Sequence, residues 1–434
     1  MELLFKNIGL LVTPTGNEPR KGKEQGEITL IENAVVGVNG GKIAYVGTYD
    51  SFCDLHDQSK LESFRDSQDQ SKLELPATQI FDCDGKLVTP GLVDAHTHLV
   101  FGGWREKELG LKLAGVPYLD ILKAGGGILN TVEHTRKATE AELTEKAMEL
   151  LTKMLYHGTT TVECKSGYGL NLEDERKQLR VSATLNKTHP ADVVSTFLGA
   201  HAFPHEYREN RGEYIRLLCE EILPKIASDG IARYCDIFCE TAVFTPKESV
   251  KILTRAKELG FELKIHADEI DPIGGAEISA LLGSVSADHL IQASDKGISD
   301  MAKKGVIAVL LPATSFYLEK PFARARKMID EGVAVAVATD FNPGSSPNFN
   351  LQLAMNLACL RYKLTPAEVI TAVTLNAAAA IGMAKEVGTL EVGKKADIVI
   401  WDAPNLEYIF YRYGNNLVDT VVKNGEVFRV TRST

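Results

Sequence analysis

No Cys-x-x-Cys pair occurs among the seven cysteines, and their number is odd. A disulfide framework does not fit that pattern, and a reducing compartment is expected. Cys235 and Cys239 stand four apart. They read as buried thiols on one strand, as free cysteines usually are, and not as a metal pair. Long apolar runs are also missing: none approaches the roughly 18 residues of a membrane span. The apolar start MELLFKNIGLLVTP is broken by Lys6 and Asn7 and lacks the basic, apolar, small order of a signal peptide. A cytoplasmic protein is therefore expected. Positive charge is in deficit, with a net charge of −10. Neither a nucleic acid nor an anionic membrane is an expected partner. A small anionic substrate stays open, because one placed Arg acts locally. Cys-rich and His-rich tracts are absent as well, which argues against metal storage or sensing.

What is there is a globular composition on a long chain. The 434 residues, 44% of them hydrophobic, exceed what one small core needs. They suggest two or three domains, or one large barrel with an attachment. The two ends look alike: ITLIENAVVGV, NGGKIAYVG and IFDCDGKLV near the start, GTLEVGKKADIVIWD and VVKNGEVF near the finish. Asn39-Gly40, Asp84-Gly85 and Asn424-Gly425 are hairpin-type signals. Between them the pattern alternates β-branched runs with amphipathic stretches, the signature of βα units. The strand candidates are LVDAH, TTTVECK, VVSTFLGAH, YCDIFCE, ELKIHA, VSADHL, AVLLPA and VAVATD. That is the number a closed barrel requires. Helix starts are marked by Thr139 with Glu142, Thr245-Pro246 with Glu248, and Thr365-Pro366 with Glu368. The expected fold is α/β: a (β/α)8 TIM-like barrel over 88–385, with a small β-sandwich domain from 1–87 and 386–434. The sequence DQSKLE occurs at 57–62 and again at 69–74. The polar segment 50–76 around it is expected to be a surface insertion without a catalytic role.

Such barrels place chemistry at the carboxyl ends of their strands. The strand candidates end in His96-Thr97-His98, Glu163-Cys164-Lys165, His201, Glu240, His266-Ala267-Asp268-Glu269, Asp288-His289 and Asp340-Phe341-Asn342. Five of the ten histidines fall there, a concentration that core packing does not explain. His96 and His98 alternate by two, so a regular strand points both to one side. Imidazole suits Zn²⁺ or Fe²⁺, and a carboxylate can complete such a site. His134, His157, His189 and His205 read as surface, capping or structural residues.

The block PGLVDAHTH, with a later strand-end His and Asp, resembles the amidohydrolase superfamily over nearly the whole chain. That resemblance implies one divalent metal ion, Zn²⁺ or Fe²⁺/Fe³⁺, held by His96, His98, His266 and Asp340. Glu240 stands where two-metal members carry a bridging Lys, which argues for one ion. For Lys165 an ion pair and a substrate contact are equally open. Within the superfamily, LAGVPYLDILKAGGGI, TVECKSGYGL, KIHADE, LLPAT and ATDFNPGSSP resemble the imidazolonepropionase family. By that resemblance substrate meets Arg105, Tyr168, His201, Glu269, Asn342, Gly344 and Ser345. Catalysis falls to Glu269, His289 and Asp340, with Glu269 and His289 equal candidates for the base.

The implied reaction adds water to 4-imidazolone-5-propanoate and gives N-formimidoyl-L-glutamate, in histidine degradation. The chemistry of the residues agrees. A dication lowers the pKa of water toward about 7 and polarises a carbonyl. A guanidinium such as Arg105 suits the propanoate. Tyr168 either adds a hydroxyl bond or only packs, and the SGYG and NPGS glycines either admit a ligand or are plain turns. A cyclic deaminase of the same superfamily and a non-catalytic barrel scaffold are the rivals. A small-molecule substrate and a homodimer complete the expectation.

Overall fold

The computed structural model describes residues 1–55, 79–116 and 126–430. The DQSKLE duplication lies outside them. Two sheets organise the chain. The first takes strands from both termini: β1 (Leu3–Thr13), β2 (Thr29–Asn39), β3 (Lys42–Thr48), β4 (Gln79–Asp82) and β5 (Leu87–Pro90) from one end. The other end adds β15 (Ile398–Trp401), β16 (Val418–Lys423) and β17 (Glu426–Arg429). Their order is β17-β16-β15-β5-β1-β2-β3, with β4 also on β1. Alternate apolar residues of both halves, among them Phe5, Ile8, Val36, Val38, Ile398, Ile400 and Val422, meet in one buried cluster. Arg429 of β17 lies over the Phe81 ring of β4, so one end of the path also meets the strand that branches from β1.

Turn chemistry explains the hairpins and corrects one expectation. Asn424 (φ 50°) and Gly425 (φ 82°) both take left-handed backbone. Lys423 pairs with Glu426, so they form the two-residue loop that matches strand twist. The β2–β3 loop is Gly40-Gly41, one residue later than the Asn39-Gly40 signal, since Asn39 pairs with Lys42. Asp84-Gly85 is a turn but not a hairpin. The strands it joins, β4 and β5, both run parallel to β1, at its two ends.

The second sheet is the barrel: β6 (Leu92–Asp94), β7 (Thr159–Lys165), β8 (Asp192–Ala200), β9 (Tyr234–Cys239), β10 (Glu262–Leu263), β11 (His266–Ala267), β12 (Ser286–His289), β13 (Ile307–Leu310) and β14 (Val335–Val337). β10 and β11 are two pieces of one strand, both pairing β9, which leaves eight staves. Every pairing is parallel. Closure comes just beyond β14, where Thr97 bridges Phe341. There Asp340 N–H donates to His96 O at 3.0 Å, and His98 N–H donates to Phe341 O at 2.9 Å. The three predicted helix starts are capping boxes at Thr139, Thr245 and Thr365. The helices bury their apolar stripes on the outer face of the barrel, in one large core. Cys235 and Cys239 are fully buried thiols of β9.

Candidate active site

The carboxyl ends of the staves collect the predicted residues on one face. β6 runs on into His96 and His98, whose side chains point the same way. The His96 and His98 ring centroids are 5.4 Å apart, and His266 at the end of the fifth stave stands 4.6 Å from His96. Asp340, just past β14, brings Oδ1 to 3.5 Å from Nε2 of both His96 and His98. Thr314 Oγ1 donates to its other oxygen at 2.7 Å. His289 ends β12 and packs 5.2 Å from His266 and 5.5 Å from His96. His201 stacks on His98 at 5.0 Å, and Tyr168 lies 5.7 Å from His98.

Three of these clusters, His96/His98/Asp340, His96/His266/His289 and His98/His201/His266, bring ligand atoms within 4.8 Å of one another. The donor set suits a divalent ion, and one observation tests that fit. Nε2 of His96, Nε2 of His266 and Nδ1 of His98 are buried without a hydrogen-bond partner. Buried polar atoms are ordinarily satisfied, so unpartnered imidazole nitrogens gathered in one buried cluster are what a cation would use. Burial, then the surrounding charges of Lys165 and other histidines, holds His96 well below the ordinary imidazole range. Neutral imidazole is the form that binds metal.

Acid–base candidates stand beside this cluster. Glu269 Oε2 is 3.6 Å from Nε2 of His289. Burial, with Asp340 adding to it, pushes the Glu269 carboxyl up to about 8. Burial likewise raises Asp340, to about 6, and lowers His201, to about 3. Asp268, His289 and Asp340 all adopt left-handed backbone, with φ of 49°, 70° and 53°. Non-glycine residues held in that region mark sites where the surrounding fold over-determines geometry.

The specificity candidates form a second tier. Arg105 donates from Nε and Nη2 to the two oxygens of Glu108, at 3.0 and 2.8 Å. Its Nη1 lies against Gly344, where a Cβ would stand only 2.0 Å away. A side chain at 344 would therefore displace the guanidinium. Asn342 folds the loop that carries it. Its Oδ1 accepts from Gly344 N and Ser345 N, both at 2.8 Å, and its Nδ2 donates to Ser345 Oγ at 2.9 Å.

Two supporting residues, Asp236 and Glu175, were not singled out by sequence. Lys165 proves to be an ion-pair residue: Nζ is 2.8 Å from Asp236, 3.0 Å from Glu163 and 3.3 Å from Asp288, all fully buried. Asp236 faces His266 Nδ1 at 2.9 Å, and Asp288 faces His96 Nδ1 at 2.7 Å. Glu240 accepts from the backbone N–H of Thr241, Ile270 and Asp271, fixing the loop after Glu269. Glu175 accepts from Gly167, Gly169 and Leu170 N–H and so shapes the SGYG turn around Tyr168. An acid inside an apolar strand, as Asp236 is in YCDIFC, was the available signal for the first of these.

Comparison with known proteins agrees with this geometry. The family model described as "Amidohydrolase family" matches residues 87–428. The chain is 51% identical over 429 residues to imidazolonepropionase of Bacillus thuringiensis (strain Al Hakam), covering 98% of this chain and 96% of that protein. It is equally similar, with the same coverage, to the imidazolonepropionase of Bacillus cereus (strain 03BB102). Among solved structures, E. coli guanine deaminase superposes with TM-score 0.69 at 14% identity, covering 99% of each chain. A zinc-bound adenosine deaminase from Xanthomonas campestris superposes at 0.65 with 21% identity, covering 98% of this chain and 92% of that one. These two likenesses concern the fold alone. The protein is an amidohydrolase, a barrel hydrolase of a family that implies a divalent metal, with candidate histidine and aspartate ligands at its mouth. Within that class the chain belongs to the imidazolonepropionase family.

Proposed function

We propose that the protein opens the ring of 4-imidazolone-5-propanoate with water, giving N-formimidoyl-L-glutamate, and that His96, His98, His266 and Asp340 hold one Zn²⁺ or Fe ion for the reaction. The observation that carries this reading is one carboxylate oxygen of Asp340, 3.5 Å from Nε2 of two histidines, in a chain 51% identical to imidazolonepropionases. When bound, a divalent ion supplies Lewis acidity, making water acidic enough to deprotonate near neutral pH and polarising the carbonyl.

The remaining work falls to side chains. Water adds to the ring carbonyl, the ring carbon–nitrogen bond breaks, and a proton reaches the departing nitrogen. Glu269 carries that proton, because a carboxyl raised to about 8 takes up and releases protons near neutrality, typically for 10²–10⁴-fold in rate. His289, 3.6 Å away, hydrogen-bonds the carbonyl oxygen and is the alternative base. Arg105, held by Glu108, grips the propanoate from the end that lies against Gly344. Tyr168, His201, Asn342 and Ser345 complete the walls around the ring.

The same reading assigns catalysis to 88–385 and a supporting role to 1–87 with 386–434. It includes a homodimer, as the family resemblance implies, and a cytoplasmic setting that suits seven unpaired cysteines. The deciding experiment supplies 4-imidazolone-5-propanoate and identifies the product. Formation of N-formimidoyl-L-glutamate without ammonia is expected. Stoichiometric ammonia would instead assign the chain to the deaminases, and no turnover by metal-replete protein would reject the reading.

A further inference from the structure

Beneath the histidines lies a buried ionic layer whose connections are more specific than charge compensation requires. The ammonium of Lys165, at the end of β7, donates to Asp236 Oδ2 at 2.8 Å. That same oxygen lies 2.9 Å from Nδ1 of His266. Lys165 also stands 3.3 Å from Asp288 Oδ2, and that oxygen is 2.7 Å from Nδ1 of His96. One cation thus reaches two imidazoles through two single oxygen atoms, one from β9 and one from β12. Glu163 steadies the cation at 3.0 Å and is itself met by Lys264 at 3.1 Å and by Thr196 Oγ1 at 2.5 Å. Lys165, Glu163, Asp236, Asp288 and Lys264 are all fully buried.

We propose that Lys165 is a positioning residue for the metal site, setting the orientation and tautomer of His96 and His266 through Asp288 and Asp236. This rests on the reading of both histidines as ligands. The hydrogen bond between His96 Nδ1 and Asp288 keeps the proton on that nitrogen and turns Nε2 inward, and at His266 the Asp236 carboxylate, 2.9 Å from Nδ1, favours the same tautomer by its charge. Nε2 of both rings is buried and without a hydrogen-bond partner, as a ligand atom for a cation would be. Outer partners of this kind commonly change metal affinity by 10–100-fold. What is particular here is the shared cation. Asp236 and Asp288 come from different strands, and Lys165 is the group that holds both anions at once, so it couples the two ligands.

Zn²⁺ affinity of metal-stripped protein, read by competition with a chromophoric chelator, tests the proposal without any turnover. Lys165→Met is expected to weaken Zn²⁺ binding about 100-fold, and Asp236→Asn and Asp288→Asn about 10-fold each. The visible spectrum of Co²⁺-loaded Asp236→Asn and Asp288→Asn should shift as the imidazoles reorient. If Lys165→Met fails to fold, the two asparagine variants decide. Wild-type Zn²⁺ affinity in both, or in folded Lys165→Met, overturns the proposal. His266→Ala, measured alongside, separates the two layers of inference. If it too binds Zn²⁺ as the parent does, the ligand set itself is wrong. If it alone weakens binding, only the role of Lys165 falls.

Discussion

Lys165 and Lys423 are each buried against more than one carboxylate, and they do different things. Lys165 sits at the heart of the barrel against Asp236, Glu163 and Asp288. Lys423, in β16 of the terminal sheet, sits 2.6 Å from both Asp192 and Asp397. Asp192 opens β8 at the opposite end of the barrel from the histidines, so Lys423 clamps sheet to barrel. The acids around Lys423 spend their remaining capacity on Lys395 and on the Asn424 backbone N–H. Two of the acids around Lys165 face imidazoles that point onward to unpartnered atoms. The same buried ion-pair chemistry is structural where its neighbours are satisfied, and positions ligands where they are not. Backbone strain follows the same division. Left-handed non-glycine residues of the terminal sheet are Asn7, Asn33, Asp84 and Asn424, types that tolerate that conformation in turns and bulges. At the barrel mouth they include Asp268, His289, Leu290 and Asp340.

The contrast can be broken most severely at the ligand end. His266→Ala should abolish turnover and lower metal content in elemental analysis, because it removes an imidazole that faces the cluster centre. Lys423→Met should destabilise the fold by about 3–5 kcal/mol, the usual effect of stranding buried charges, and leave Zn²⁺ affinity unchanged. Chemical denaturation and chelator competition on one preparation would show both. Arg105→Ala should raise KM for the propanoate substrate by roughly 10- to 100-fold, the scale of hydrogen bonds to a charged group, with kcat little changed. An unaltered KM in steady-state assays would remove Arg105 from substrate binding. Gly344→Ala, which pushes a Cβ against the same guanidinium, should raise KM less, about fivefold, the lower range of overpacking effects.

The smallest effect concerns acid stability of the clamp. Burial raises the Asp192 carboxyl, but Lys423 and Lys395 outweigh it and hold it below its ordinary 3.8. A depressed carboxyl stabilises the fold above its unfolded value, and that stability is lost as pH falls through the folded value. Asp192→Asn should therefore flatten the loss of stability below about pH 4, seen as a weaker pH dependence of the denaturation midpoint.

Residues at strand ends were legible because position and type coincide there. His96, His98, His266 and Asp340 each close an apolar run, and barrels put chemistry at such ends. Asp236 was not legible in that way. It lies third in YCDIFC, within β9, and nothing in its spacing says that Lys165, two strands away, reaches it. For Lys165 an ion pair and a substrate contact were equally open until three acids were seen around Nζ. The eight staves were readable from β-branched runs, whereas pairing in the terminal sheet was only partly so. Turn residues report that the backbone reverses or kinks, not which strands then pair. Asn424-Gly425 gave a hairpin, and Asp84-Gly85 joined two strands that share β1.

Activity against metal stoichiometry is the measurement that bears most directly on one ion held by His96, His98, His266 and Asp340. Chelator-stripped protein titrated with Zn²⁺, and in parallel with Fe²⁺, is assayed for opening of 4-imidazolone-5-propanoate. Activity should be absent at zero metal, rise in proportion and stop at one ion per chain. Full activity after stripping, or a plateau at two ions, would contradict it.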